Sequence, residues 1–462
     1  MKGSEANLLE LMDGGKKYFV IPVYQRKYDW KQENCRQLYE DLKKIANQGR
    51  ASHFFGSIVC SVEGNGSKIE YYVIDGQQRL TTVSLLLLAI RNLLAQHQIT
   101  SVDPNLGDEI QDCYLLSKYS HDEDKCKMRL LKGDSEAFKR LFGDEEDFDP
   151  SSNLTHNYQF FRDMLLKQEV PVDELYSAIG RLEVISITLD RYDNAQLIFE
   201  SLNSTGLALS EGDKIRNYVL MNQPSREQTH LYNDYWLKIE RCTKGNVSAY
   251  VRDYLSVKRQ LTPSLSTVYR EFKMYAEDSG KQVEALLKDM LYYARLYEKL
   301  LTGKSGLMQP QLNQCMDRMN WLEITVTRPF LMEVLSLNQA GKLTEQQVYR
   351  VFSIVENYLF RRNICEVPTN ALNKIFLNLN REILRYDGTA DRYVDKLIYA
   401  LLSKRDSGRF PDDEEFAAAL ATKQVYQMRG RYKAYLFERF ENFGTLETKD
   451  VFNHLANKVY TI

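Results

Sequence analysis

The sequence predicts an α+β protein: a small mixed sheet with helices at the N-terminus, followed by a large all-α region. Three observations carry this. Runs of β-branched and aromatic residues of strand length occur at residues 18–23, 54–62, 69–74 and 182–189, all in the first half. The stretch YYVIDGQQRLTTVSLLLLAIRNLL at 71–94 passes from strand character through a sharp turn at Asp75-Gly76 into an apolar run too long for one strand. From Gln228 onward one helical pattern follows another, at 232–242, 247–257, 264–278, 283–301, 309–322, 329–338 and 345–361, and more to residue 443. Tyrosine, 30 in the chain, suits helix–helix packing there.

The N-terminal elements run as follows. Residues 4–12 are expected to form a short helix. The strand at 18–23 leads into IPVYQRKYDW, where Pro22 restricts the backbone and sets Tyr24, Gln25 and Arg26 on an extended or turning segment. Tyr28 and Trp30 follow at once. A basic group among aromatics can hold a nucleobase or sugar-phosphate; equally, a strand end can pack its aromatics into the core. Residues 32–48 form an amphipathic helix with Cys35, Leu38, Leu42 and Ile45 on one face. A hairpin follows, and its turn at 63–68, EGNGSK, lacks phosphate-loop spacing and joins strands rather than a strand and a helix.

At the hairpin's end, strand, turn and helix start make an anion-binding geometry. First-turn N–H groups are unpaired and the helix dipole is positive there. Gly76 would let a ligand approach the backbone. Arg79 sits where a cation is unfavourable, which is explained if it faces a phosphate. The plainer alternative has Asp75 capping the helix and Arg79 solvated.

Residues 108–142 are expected to be helical or mixed, and the acidic 143–153 an exposed loop. The strand at 182–189 completes the first sheet from a distance. Residues 195–202 form a helix broken at Asn203-Ser204-Thr205-Gly206, and Ser210 to Asp213 is a capping box for a helix through Leu220. That polar cluster could face a ligand or could be two caps and a solvated turn. Lys423, Arg429, Arg431, Lys433 and Arg439 against Glu438 form the best local basic patch, with a solvated helix face as the default.

Composition sets bounds. With 61 basic and 63 acidic residues the net charge is −2, so no global field recruits nucleic acid and any DNA contact must be local. Seven scattered cysteines without a CxxC pair indicate reduced thiols in a cytoplasm. The start lacks a signal-peptide core, and the longest apolar run, 83–90, is too short to span a membrane. The six histidines are isolated, so no metal site is assigned, and there is no G-x-S-x-G elbow or Rossmann fingerprint.

Three motifs together resemble one family in order and spacing: IPVYQRKYDW at 21–30, HFFGSIV with YYVIDGQQRLTT at 53–82, and FESLNSTG with LSEGDKIRNYVL at 199–220. YLFRRNICEVPTNALNKIF at 358–376 and YKAYLFERFEN at 432–442 are similar to helices of the same family. It is the DGQQR-domain family, with a ParB/sulfiredoxin-like fold, whose members include GmrSD-type modification-dependent restriction enzymes and phosphorothioate-sensing SspE-type anti-phage proteins. The resemblance implies a ParB-like nucleotide-binding sensor domain at 1–222, with a helical insertion at about 105–180, and an α-helical domain at 223–462. It implies binding and hydrolysis of an NTP (GTP or ATP) with Mg²⁺, and DNA, in modified form, as partner.

By position, Asp75, Gly76, Gln77, Gln78 and Arg79 resemble the hydrolysis motif. Arg79 and the amides after Gly76 would hold phosphates, with Thr81 and Thr82 beside them. Asp75 would orient Mg²⁺ or water, and Gln77 or Gln78 would position the attacking water. Gln25 and Arg26 resemble the neighbouring pocket segment, and Tyr24, Tyr28 and Trp30 the part that senses DNA or its modification. Asn203, Ser204, Thr205 and Gly206 resemble a loop closing over the site, with Asp213 and Lys214 as supports. The alternative is a non-catalytic module that recognises modified DNA or the phosphate backbone. A sulfiredoxin-like redox activity is disfavoured because the DGQQR block holds no cysteine. The family continues from a segment like KVYTI into a C-terminal HNH nuclease motif; here the sequence stops at Thr461-Ile462, so the expectation is a chain cut before that domain or a short member, with no metal-dependent DNA cleavage of its own. A homo-oligomer is left open.

Overall fold

The computed structural model describes residues 1–49, 51–64, 68–118, 125–190, 193–202, 209–221, 223–445 and 449–452. Backbone contacts divide the chain into two compact units, Met1–Leu209 with Arg216–Thr229, and Ser210–Ile215 with His230–Ile462. The fold class is α+β: a mixed sheet in the first unit, helices throughout the second.

The first unit is built on a sheet of strands β1 (Lys2–Asn7), β2 (Lys17–Val20), β3 (His53–Gly64), β4 (Ile69–Asp75), β5 (Met128–Arg129) and β6 (Leu182–Leu189). Their order is β1-β6-β3-β4-β2-β5. β6 runs antiparallel to β1 and parallel to β3; β3 and β4 form the antiparallel hairpin; β2 is parallel to β4 and β5. The strand at 182–189 thus joins the sheet across more than a hundred residues of chain. The expected helix at 4–12 is corrected. Lys2–Asn7 pairs along β6, and only Leu8–Met12 is helical (α1), started by Asn7, whose side chain accepts the N–H groups of Leu9 and Glu10. Ladder pairing overrides a weak helical preference in so short a segment.

Helix α2 (Gln32–Gln48) buries Cys35, Leu38, Tyr39, Leu42 and Ile45 and ends at Gly49 in the left-handed conformation. Helix α3 (Gln77–Ala95) is the core element: every residue from Leu80 to Leu93 is buried except Arg91. It packs against α4 (Leu106–Ile110) and α6 (Asn153–Leu166), which follows α5 (Lys132–Arg140). Helix α7 (Val172–Ile179) lies on α2. A helix apolar all round must be covered all round, and the segment between β4 and β6 supplies that cover. Helices α8 (Ala195–Leu202) and α9 (Glu211–Leu220) follow, α9 running from one unit into the other. The capping box before α9 is present: Ser210 Oγ accepts the Asp213 N–H at 3.1 Å and Asp213 Oδ2 accepts the Ser210 N–H at 3.3 Å.

In the second unit a half-buried carboxylate lies among helices. Glu333, on the helix Arg328–Gln339, accepts a bond from Asn380 Nδ2 at 2.9 Å. Burial pushes its carboxyl up to about 7, the Asn380 bond opposing only in part. An acid raised above its ordinary 4.5 binds its proton more tightly when folded, so stability falls as pH rises from about 4.5 to about 7 and then levels. Glu333→Gln is expected to remove that fall and to raise stability by about 1–2 kcal/mol at pH 8, in urea midpoints compared at pH 5 and 8.

Among the described residues no helix is long and apolar enough to cross a membrane, and all seven cysteines are free thiols.

Candidate functional site

The turn between β4 and α3 is shaped by what lies beneath it. Gly76 is the N-cap of α3 with φ +94°, and a β-carbon there would stand 2.9 Å from Ile58 Cδ1 and 3.0 Å from the Ser57 carbonyl oxygen. The close approach that Gly76 permits is therefore made by the chain's own strand β3. Asp75 does not cap the helix: no side chain does, so the first-turn N–H groups are left for another acceptor.

Arg79 turns back onto β3. Its Nη1 donates to the Ser57 carbonyl at 3.1 Å and stands 3.9 Å from Asp75 Oδ2, which accepts the Ser57 hydroxyl at 3.4 Å. The guanidinium lies over Gly56, where a β-carbon would come within 2.7 Å of Nε. Gly56 has φ +117°, and the β3–β6 register shifts between Phe54 and Gly56. The bulge re-aims the strand so that its backbone receives the arginine. These contacts offset the cost of a cation in the first turn from within the chain. The side chains of Arg79 and Asp75 remain 30% and 26% exposed, and most guanidinium donors are uncommitted. Gly56 and Ser57 were not among the expected site residues, although a glycine inside the strand-like HFFGSIV run is the ordinary signal of a bulge.

The two glutamines do something else. Gln78 is 7% exposed; its Oε1 accepts the N–H groups of Asp29 at 2.9 Å and Trp30 at 3.1 Å, and its Nε2 donates to the Lys27 carbonyl at 3.3 Å. Gln77 Nε2 donates to the Arg26 carbonyl at 3.2 Å. Gln25, also buried, donates to the Ile74 carbonyl at 2.7 Å. The glutamines therefore splint the segment 25–30 to the start of α3, satisfying backbone groups of a partly buried loop.

Tyr24 and Tyr28 are core residues, at 4% and 7% exposure, so neither ring offers a stacking face. Burial pushes both phenols up. Thr82 gives its one proton to the Gln78 carbonyl at 2.7 Å, so at the 2.7 Å contact between the hydroxyls it is Tyr28 that donates. Asn157 Nδ2 in turn donates to the Tyr28 oxygen at 2.9 Å and to the Trp30 carbonyl at 2.8 Å. Thr81 is buried as well. Of the three expected sensing residues only Trp30 is half-buried rather than buried. Arg26 is partly exposed, 3.9 Å from Asp29. The buried Arg216 donates from Nε to the Tyr24 carbonyl at 2.8 Å, a brace that spacing alone could not reveal.

Asn203, Ser204, Thr205 and Gly206 lie outside the described residues. Lys214 is grouped with the second unit, where its Nζ pairs with Glu211 at 2.7 Å. Among the described residues no three His, Cys, Asp or Glu side chains converge on a metal-sized position. The structure thus gathers Asp75, Gly76, Arg79 and the uncapped helix start into one half-exposed cluster, and assigns Gln25, Gln77, Gln78, Tyr28 and Thr82 to the frame behind it.

Residues 8–220 match the family model described as GmrSD restriction endonuclease, N-terminal domain. No curated protein matches the chain.

Proposed function

On the premise that residues 8–220 are a GmrSD-type restriction endonuclease N-terminal domain, we propose that the first unit binds and hydrolyses a nucleoside triphosphate, GTP or ATP, as the sensor part of a modification-dependent restriction or anti-phage system. The observation that supports this reading is the uncapped start of α3 at Gly76 with the braced, half-exposed Arg79 and Asp75 beside it. Arg79 and the first-turn N–H groups hold phosphate oxygens. Mg²⁺ carried with a triphosphate takes one or two carboxylates and neutralises phosphate charge, and Asp75 is a carboxylate at the right end of the helix to meet it. Gln77 and Gln78 act through the loop they splint rather than on water. Because phosphoryl transfer rests on positioning and charge neutralisation, turnover of GTP or ATP by the full chain is expected to fall about 100-fold or more in Arg79→Ala and in Asp75→Asn, with melting temperatures close to that of the unaltered chain. Turnover in both variants equal to that of the unaltered chain would remove the catalytic claim.

One observation favours the second reading, a DNA-recognition module without turnover: Gln78 has both amide ends committed and Gln77 its Nε2, so neither is free to steer a water as a full amide. That reading expects salt-dependent DNA binding with no hydrolysis, weakened by Trp30→Ala.

A further inference from the structure

We infer that the second unit carries a binding surface for the phosphodiester backbone of DNA, in the groove between the helix Leu372–Arg385 and the turn at residues 404–408. The groove encloses about 740 Å³ and is lined by Lys374, Arg381, Arg385, Lys404 and Arg405 against two carboxylates, Glu382 and Asp406. Glu382 is taken by Lys404 at 2.6 Å, and Arg381 is bonded to the neutral Gln260. Lys374, Arg385 and Arg405 are exposed and have no acidic partner among the described residues. In a chain of net charge −2 this is a local concentration of one sign rather than part of a general field.

Spacing identifies the partner. Lys374, Asn378, Arg381 and Arg385 follow at intervals of four, three and four, so they share one helix face. Eleven residues of helix span about 16 Å, the length of about five base steps of one duplex strand. A compact anion would be met by converging donors; a row of cations this long meets a repeating charge. The facing wall is rigid. The buried Arg362 donates to the Ser407 carbonyl at 2.7 Å, the Pro368 carbonyl at 2.6 Å and the Arg409 carbonyl at 3.0 Å, and Tyr358 donates to the Gly408 carbonyl at 2.7 Å. The 423–439 window that looks most basic in sequence is weaker, because Lys423 pairs with Glu366 and Arg431 with Glu323, both at 2.7 Å. The groove lies outside residues 8–220, in a part of the chain to which the family match assigns nothing.

The test is fluorescence anisotropy of the full chain with a 20-base-pair labelled duplex, from 50 to 200 mM salt and without nucleotide, so that it stands apart from hydrolysis at Arg79. Binding is expected with a log–log salt slope of about −3 to −4, as for about four phosphate contacts. Lys374→Glu with Arg385→Glu weakens it at least tenfold and flattens the slope by about 2, whereas Lys342→Glu, exposed elsewhere in the unit, changes it less than twofold. Should the double variant melt early, Lys374→Gln with Arg405→Gln carries the same comparison at about fivefold. Affinity equal to that of the unaltered chain in a folded groove variant, or an equal loss in Lys342→Glu, overturns the assignment.

Discussion

Glu356→Ala is expected to destabilise the second unit by about 3–5 kcal/mol, read as a shift in urea midpoint. Glu356 is 5% exposed on the helix Glu345–Ile364. Arg318, on the helix Pro310–Trp321, grips both its oxygens, Nε at 2.5 Å and Nη2 at 2.8 Å. Cys315 donates to it at 3.0 Å, and Tyr435, from the helix Gly430–Glu441, at 2.7 Å. One carboxylate therefore joins three helices. Its removal leaves a guanidinium that is 8% exposed without a counter-charge, and stranding a buried charge costs far more than the intact pair contributes. The paired change Arg318→Met with Glu356→Leu should accordingly recover most of the loss. Burial alone would raise the Glu356 carboxyl, but Arg318 and the two donors outweigh it and hold the group below its ordinary 4.5. Its contribution is then present above about pH 4.5 and is lost as pH falls through the lower folded value. A loss under 1 kcal/mol in Glu356→Ala would mean that the pair is not closed in solution.

The second large effect is expected at the turn. Gly76→Ala should cost about 2–4 kcal/mol, because alanine must adopt φ +94° while its β-carbon meets Ile58 and the Ser57 carbonyl. Relaxation would have to move β3 away from the start of α3, and with it the seat of Arg79. Gly133→Ala in α5 is the control: nothing lies within 4 Å of its β-carbon and its φ is not positive, so it should be neutral or gain about 0.5 kcal/mol. Thermal unfolding of the two variants side by side distinguishes them. Equal stability would show that the turn tolerates a side chain and that its glycine serves something outside the fold.

Much of the architecture was legible from pattern. The hairpin, α2, α3 and the distant strand at 182–189 each carry a period or a composition that only one kind of element satisfies. The amphipathic stripe of α2 and the unbroken apolar run of α3 are examples. The strand at Lys2–Asn7 and the two-residue β5 were not legible, since each exists only because a neighbouring strand offers unpaired groups. At the candidate site, sequence grouped the turn residues as one set, which the structure divides. Amide side chains beside an arginine resemble a hydrolytic set; the structure turns Gln77 and Gln78 towards the backbone of 26–30, leaving Asp75 and Arg79 at the surface.

What the sequence alone determined is where strand yields to helix, which residues crowd that junction, and that the chain's charge is balanced overall. Those follow from local backbone preference and from composition, which need no partner elsewhere in the chain. Which polar groups there remain available, and where the cations concentrate, is set by the folded chain. A side chain's partners are set by whatever strand or loop folds against it: β3 beneath Gly76 and Arg79, the 25–30 segment over the glutamines, the 404–408 turn opposite Lys374 and Arg385. Hydrogen bonds and ion pairs act over a few ångströms of space, and chain separation carries no information about which groups come that close.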